Sequence, residues 1–374
     1  MLVVISFLLI LLTCVCSESA PNELDDVATE DATFINTILE DHDIQFKIAR
    51  LATSRSYSER IAISREYERL HNTSLIEALL LTSLSGETGK LIQGLFSTSA
   101  EFYAMEINRA VIGLGTDEKA LNDVLCCLDD LTVDEIRYEY RRLFGRSMDE
   151  DIIDDVSGPY EQFLGDVIAM RRLPWANARQ IALMVTDHYI NAANGSVPDP
   201  WFFSRSPYAT IRKVSNHLQN VIGMNFPDYF SILRDEYRDD LTQLLCAIAS
   251  YSQNPLRYYT NLLWNAYEEG DNKRLTRIIV SWTNSKRKLE YLMADFELLA
   301  KTRRTDAWMI QAYPSDSEPL HRYIIQKLLF GEAIEADVKA NMESITERFP
   351  AFFPIREDFR NHLRDIVKVA MFLK

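Results

Sequence analysis

Apolar residues recur three and four positions apart along most of this chain. Ala120, Leu121, Val124, Leu125 and Leu128 form one such set, and Val133, Ile136, Tyr140, Leu143 and Phe144 a second. Tyr160, Phe163, Leu164, Val167 and Ile168 form a third. That spacing puts large side chains on one face of a helix, which must then turn inward. Runs that alternate apolar and polar are too few for a sheet, so the expected class is all-α. The pattern also repeats on a larger scale. An apolar residue followed seven positions later by another occurs at Ile63 and Leu70, Ile136 and Leu143, Ile211 and Leu218, and Leu289 and Phe296. The offsets between these pairs are 73, 75 and 78 residues. Four copies of one helical unit therefore account for roughly residues 31 to 331.

Between two of the predicted helices the polar pattern changes character. Val111-Ile112-Gly113-Leu114-Gly115-Thr116-Asp117-Glu118 holds two glycines in a short connection. Glycine accepts left-handed backbone angles that turn successive carbonyls to one side. Thr116 reads as the N-cap of the next helix, with Asp117 and Glu118 in its first turn. Exposed carbonyls are hard oxygen ligands suited to Ca²⁺, but they bring no net charge. A carboxylate has to come from elsewhere, and Asp155, 42 residues after Gly113, is the candidate. A plain helix-cap turn with no metal would use the same two glycines.

Gly-x-Gly-Thr-Asp followed by Asp155-Val156-Ser157-Gly158 resembles the calcium-binding repeat of annexins. Tyr140-Arg141-Arg142-Leu143-Phe144-Gly145-Arg146 and Asp149-Glu150-Asp151-Ile152 are similar to that family's third and fourth helices. The resemblance implies four five-helix bundles arranged as a slightly curved disc. It also implies a Ca²⁺ site in the second repeat, with the backbone carbonyls of Val111, Gly113 and Gly115 and both oxygens of Asp155 as ligands. Coordination positions left open on the ion would take water or lipid phosphate, so that Ca²⁺ bridges the protein to an anionic phospholipid membrane surface. The implied order is repeat 1 at 32–98, repeat 2 at 99–172, repeat 3 at 173–257 and repeat 4 at 258–331.

The other three repeats depart from the pattern. At the first loop position stands Glu40-Asp41-His42-Asp43-Ile44, without glycine, and its later carboxylate position is Ser83. The third has Asn194-Gly195-Ser196-Val197-Pro198-Asp199-Pro200, where two prolines redirect the path, with Glu236 at the carboxylate position. In the fourth, Glu268-Glu269-Gly270-Asp271 is too short for the loop, and Tyr313 replaces the acid. Trp201 reads as part of a shortened core helix, Trp201-Phe202-Phe203, rather than as a membrane-inserting residue. One intact site of four implies weak membrane binding that needs high Ca²⁺, because avidity falls with the number of tethers.

Composition narrows partners and compartment. A formal net charge of −15 argues against nucleic-acid binding and against direct attraction to anionic lipid. Residues 2–16 are apolar and uncharged and are followed by Ser17-Glu18-Ser19-Ala20-Pro21, which reads as a signal peptide over 1–17; an uncleaved anchor or a buried first helix is the alternative. Annexins usually lack such a segment. An acidic, loose tail is expected over 18–31. Secretion would leave Cys126, Cys127 and Cys246, which read as small core residues rather than a disulfide framework, with a Cys126–Cys246 bridge left open. Asn72 and Asn194 head glycosylation triplets. Residues 332–374 form a C-terminal helical extension that packs on the fourth repeat or meets a protein partner. The six His residues show no metal-ligand spacing, and no catalytic motif stands out, so no enzyme is expected. Two function classes follow: a secreted Ca²⁺-dependent phospholipid-binding protein, or a secreted scaffold or host-directed effector that keeps the fold for protein contacts.

Overall fold

The computed structural model describes residues 23–82, 84, 86–113, 115–128, 130–169, 172, 200–237, 239–302 and 319–330. The expectations for the signal peptide, Ser83, the Asn194 loop, Tyr313 and the C-terminal extension fall outside these residues. Every element described is a helix. The first repeat comprises α1 (Glu23–Ile38), α2 (Ile44–Ser54), α3 (Tyr57–His71), α4 (Leu75–Leu80) and α5 (Gly86–Leu95). The second comprises α6 (Ser99–Val111), α7 (Glu118–Leu125), α8 (Asp130–Phe144), α9 (Met148–Asp155) and α10 (Gly158–Ala169). The third contributes α11 (Trp201–Arg205), α12 (Tyr208–Ile222), α13 (Phe226–Tyr237) and α14 (Asp240–Gln253). The fourth contributes α15 (Pro255–Glu269), α16 (Asn272–Trp282), α17 (Lys286–Thr302) and α18 (Pro319–Phe330). The four repeating apolar pairs fall on α3, α8, α12 and α17, one helix in each unit.

Local sequence explains the helix ends. Ser56 and Thr98 open α3 and α6 with capping boxes, each accepting from the backbone of a Glu three residues on, whose carboxylate reaches back to the cap N–H. Gly223 and Gly270 end α12 and α15 in the left-handed conformation.

The N-terminal segment differs from the loose tail expected over 18–31. From Glu23 it is already helix α1, and Ala28, Ala32 and Ile35 are buried against α3. Asp31 forms a two-point ion pair with Arg55, at 2.6 and 3.0 Å. Small alanines at helical spacing carry a weak apolar signal, and the surrounding acids mask it.

The packing divides into two apolar cores. Repeats 1 and 4 share one, from Ile48 and Phe96 to Ile279 and Ile324. Repeats 2 and 3 share the other, from Leu121 and Tyr140 to Phe203 and Phe230. Phe202, Phe203, Phe226 and Phe230 stack mostly edge-on within it, and Trp201 packs half-buried on its rim. Arg60 stitches the first repeat. It is buried and donates to the carbonyls of Leu95, Ala52 and Arg55. Burial without a close counter-charge brings its guanidinium down to about 10.

Charged groups join the two cores. Asp123 on α7 accepts from Arg274 at 2.6 and 2.8 Å and from Arg277 at 2.9 Å, both on α16. Arg277 also faces Glu106 on α6 at 3.6 Å, and Glu106 holds Arg109. The side chains of Asp123, Arg274 and Arg277 are 7%, 13% and 6% exposed. Truncating one member of such a cluster strands a buried charge. Asp123→Ala is therefore expected to cost about 3–5 kcal/mol in urea denaturation; a change below about 1 kcal/mol would show that the seam is not structural.

Nearby, Lys119 on α7 reaches Glu269 at 3.1 Å and Asp271 at 2.7 Å. Burial raises the Asp271 pKa, but the Lys119 ammonium and the Arg274 backbone N–H outweigh it and hold the carboxyl below its ordinary value. A depressed carboxyl stabilises the fold above the unfolded pKa and loses that contribution as pH falls through the folded value. Asp271→Asn should lower stability at neutral pH and flatten the acid loss below about pH 4, as read from urea midpoints across that range.

Candidate calcium site

The loop between α6 and α7 has the backbone that its glycines require. Gly113 sits at φ +129° and Gly115 at φ +88°, and a Cβ built at either would touch nothing within 4 Å. Conformation, not space, demands glycine there. The Asp117 N–H closes the loop by donating to Ala110 O at 2.9 Å. Asp117, rather than Thr116, caps α7, its Oδ1 accepting from Ala120 N at 2.9 Å. This corrects the cap assignment made from sequence. The Thr116 hydroxyl is taken by the other half of the site: it lies 2.8 Å from Asp155 O and 2.7 Å from Asp155 Oδ2.

That contact joins residues 39 apart in sequence. It brings Asp155, the last residue of α9, onto the glycine loop. Tyr160 on α10 steadies the same region, its hydroxyl donating to Asn122 Oδ1 at 2.8 Å on α7. Burial pushes the Tyr160 hydroxyl well above its ordinary pKa, so it stays a donor.

The donor set fits a hard cation. Among the described residues no hydrogen bond ends on the carbonyls of Val111, Gly113 or Gly115, and none engages Asp155 Oδ1. Asp155 Oδ2 accepts one hydrogen bond and keeps a lone pair for a metal. Three carbonyls and one carboxylate give oxygen ligands of the type Ca²⁺ takes. Among the described residues no cluster of three or more His, Cys, Asp or Glu side chains is placed to hold a metal, so a site here has to lean on the backbone. Ile112 lies beside it, 55% exposed.

The other loops are occupied differently. Asp41 and Asp43, the acids of the first, both pair with Lys47, at 2.6 and 2.9 Å. The fourth is a tight turn in which Gly270 ends α15 and Asp271 caps α16, and its acids bind Lys119. Glu236 lies on α13, near its end. Sequence reading missed both lysines: Lys119 meets acids 150 and 152 residues away, whereas the Asp43–Lys47 pair, one helical turn apart, was there to be read.

Known proteins similar to this chain point to one family. A family model described as annexin matches residues 102–166, which span both halves of the site. Mouse annexin A13 is 27% identical over 258 residues, covering 67% of this chain and 80% of that protein. The structure superposes on annexin III with a TM-score of 0.65 at 21% identity, covering 81% of this chain and 94% of that one. The chain resembles the annexins in motif, sequence and fold. The fold also matches calcium-bound annexin (Sm)1, at a TM-score of 0.62 and 16% identity, over 81% of this chain and 90% of the other. The all-α, four-repeat architecture expected from sequence is thus that of the family.

The glycine angles make a local prediction. Gly115→Ala should cost about 1–2 kcal/mol in urea denaturation with helix content unchanged, and Gly115→Asn less, since Asn tolerates the left-handed region. A neutral alanine would show that the loop does not need this backbone.

Proposed function

We propose that this protein binds Ca²⁺ at the second-repeat loop and through it attaches peripherally to anionic phospholipid. The observation that carries this reading is the junction of Thr116 with Asp155, which puts a carboxylate on a loop where, among the described residues, the carbonyls of Val111, Gly113 and Gly115 accept no hydrogen bond. Val111, Gly113 and Gly115 would hold the ion through backbone oxygen, and Asp155 through its carboxylate. Bound Ca²⁺ would supply positive charge beside the loop. The protein's net charge of −15 repels an anionic membrane, and a cation with open positions reverses that locally. The calcium-bound state of annexin (Sm)1 supports the reading by likeness of fold.

Repeats 1 and 4 commit their loop acids to lysines, so the second repeat carries the response largely alone. Weak binding follows, matched to the millimolar Ca²⁺ of an extracellular setting. The apolar run at residues 2–16 supports secretion. The same commitment of acids to lysines favours a second reading, in which the fold serves chiefly as a scaffold for protein contacts.

Sedimentation with phosphatidylserine vesicles decides between them. The protein should pellet in millimolar Ca²⁺ and stay soluble with chelator. Asp155→Ala should abolish pelleting while leaving the helical signal intact. No pelleting at any Ca²⁺ concentration would overturn the membrane reading and leave the scaffold.

A further inference from the structure

Helix α7 begins at the calcium loop and ends in two adjacent cysteines. Cys126 is the C-cap residue, its N–H donating to Asn122 O at 3.1 Å. The Cys126 and Cys127 sulfurs lie 2.7 Å apart. That is well inside ordinary non-bonded contact and within a small shift of the roughly 2.05 Å of a disulfide bond. Cys126 is fully buried and Cys127 half-buried. The surroundings are built around this turn. The Tyr208 hydroxyl, from repeat 3, donates to the carbonyls of Cys126 and Leu128 at 3.0 and 2.7 Å. The Tyr258 hydroxyl, from repeat 4, lies 3.3 Å from Cys126 Sγ, and Tyr259 hydrogen-bonds Cys127. Tyr251 packs edge-on against Tyr208, Tyr258 and Tyr259.

From this arrangement we infer that Cys126 and Cys127 are a reversible oxidation site, closing to a disulfide between neighbouring residues. The oxidant is a small-molecule disulfide such as oxidised glutathione. Cys127, the half-buried thiol, loses its proton and attacks one sulfur of the oxidant. The oxidant's S–S bond breaks, one glutathione thiolate leaves, and a mixed disulfide forms on Cys127. Cys126 then loses its proton and attacks Cys127 Sγ, expelling the second glutathione. One S–S bond is made and one broken; two protein thiols are oxidised, and their protons end on two glutathione thiols.

Two features set how the site behaves. Burial raises the Cys127 thiol well above its usual pKa, so the first attack is slow at neutral pH and quickens as pH rises. Adjacent residues stand about 3.8 Å apart at Cα, closer than the roughly 4.4–6.8 Å usual for a disulfide. A bond closed across so short a span is readily reduced, which makes it a reversible mark rather than a staple. Its position between repeats 2, 3 and 4 places that mark where three units meet.

The test uses the full native chain exposed to oxidised glutathione at mildly alkaline pH, then alkylated, digested and mapped by mass. The Cys126–Cys127 peptide should escape alkylation, weigh two hydrogens less than its reduced form, and regain both thiols with dithiothreitol. Cys246→Ser should leave this unchanged, and Cys127→Ser should abolish it. The inference is overturned if both cysteines of the native chain remain alkylatable, if glutathione stays on Cys127, or if the peptide is found cross-linked to Cys246.

Discussion

Asp123 lies where the core of repeats 2 and 3 meets the core of repeats 1 and 4, and two guanidiniums close on its carboxylate. Charges so little exposed need partners, since desolvation alone would forbid them. Arg274 and Arg277 supply those partners from α16, and Glu106 balances the second arginine. An apolar seam would have tolerated sliding between the two halves. A carboxylate that accepts from fixed guanidinium forks sets a register, because the fork geometry is directional. α7 is thereby held from the middle of its length. Its first turn bounds the candidate calcium loop, and the cysteine pair follows its last turn. The placement of both therefore rests on the same ion cluster.

Much of the architecture was legible in sequence because helices announce themselves by period. Ile63, Ile136 and Ile211 are fully buried where the repeating pattern placed them, and Phe296 closely so. The pattern was less informative for single residues: Leu70 lies at the surface and Leu143 only half-buried. The glycine loop was legible too, since positive backbone angles at Gly113 and Gly115 leave few other residue choices. The cap was misread because Thr116 and Asp117 are both good caps locally. Only the fold reveals that Asp155, far along the chain, claims the threonine hydroxyl. The seam was invisible for a similar reason. Glu106, Asp123 and Arg277 each look like ordinary charges on a helix, and nothing local says that they face one another.

The acidic surplus of the chain is more structured than its net value suggests. Asp31, Asp41, Asp43, Glu269 and Asp271 are all engaged by Arg or Lys side chains. Asp155 differs: among the described residues it holds only a neutral hydroxyl. A carboxylate left with neutral company keeps its charge available to an incoming cation, whereas one already paired offers little. Charge pairing, as much as loop shape, separates the second repeat from the first and fourth.

The division into two cores bears on how the chain comes to be folded. The core of repeats 2 and 3 draws on residues between Ala104 and Tyr258, a continuous stretch. The other core joins Ile48 and Phe96 to Ile279 and Ile324, with α18 packed on α2 and α5. During synthesis the middle of the molecule has its partners long before the first repeat does. Until α16 and α18 emerge, α2 and α5 lack their fourth-repeat cover, and closing so long a loop is slow compared with local helix packing. The first repeat is thus completed by the fourth, and in the interval its apolar surface is open to other chains.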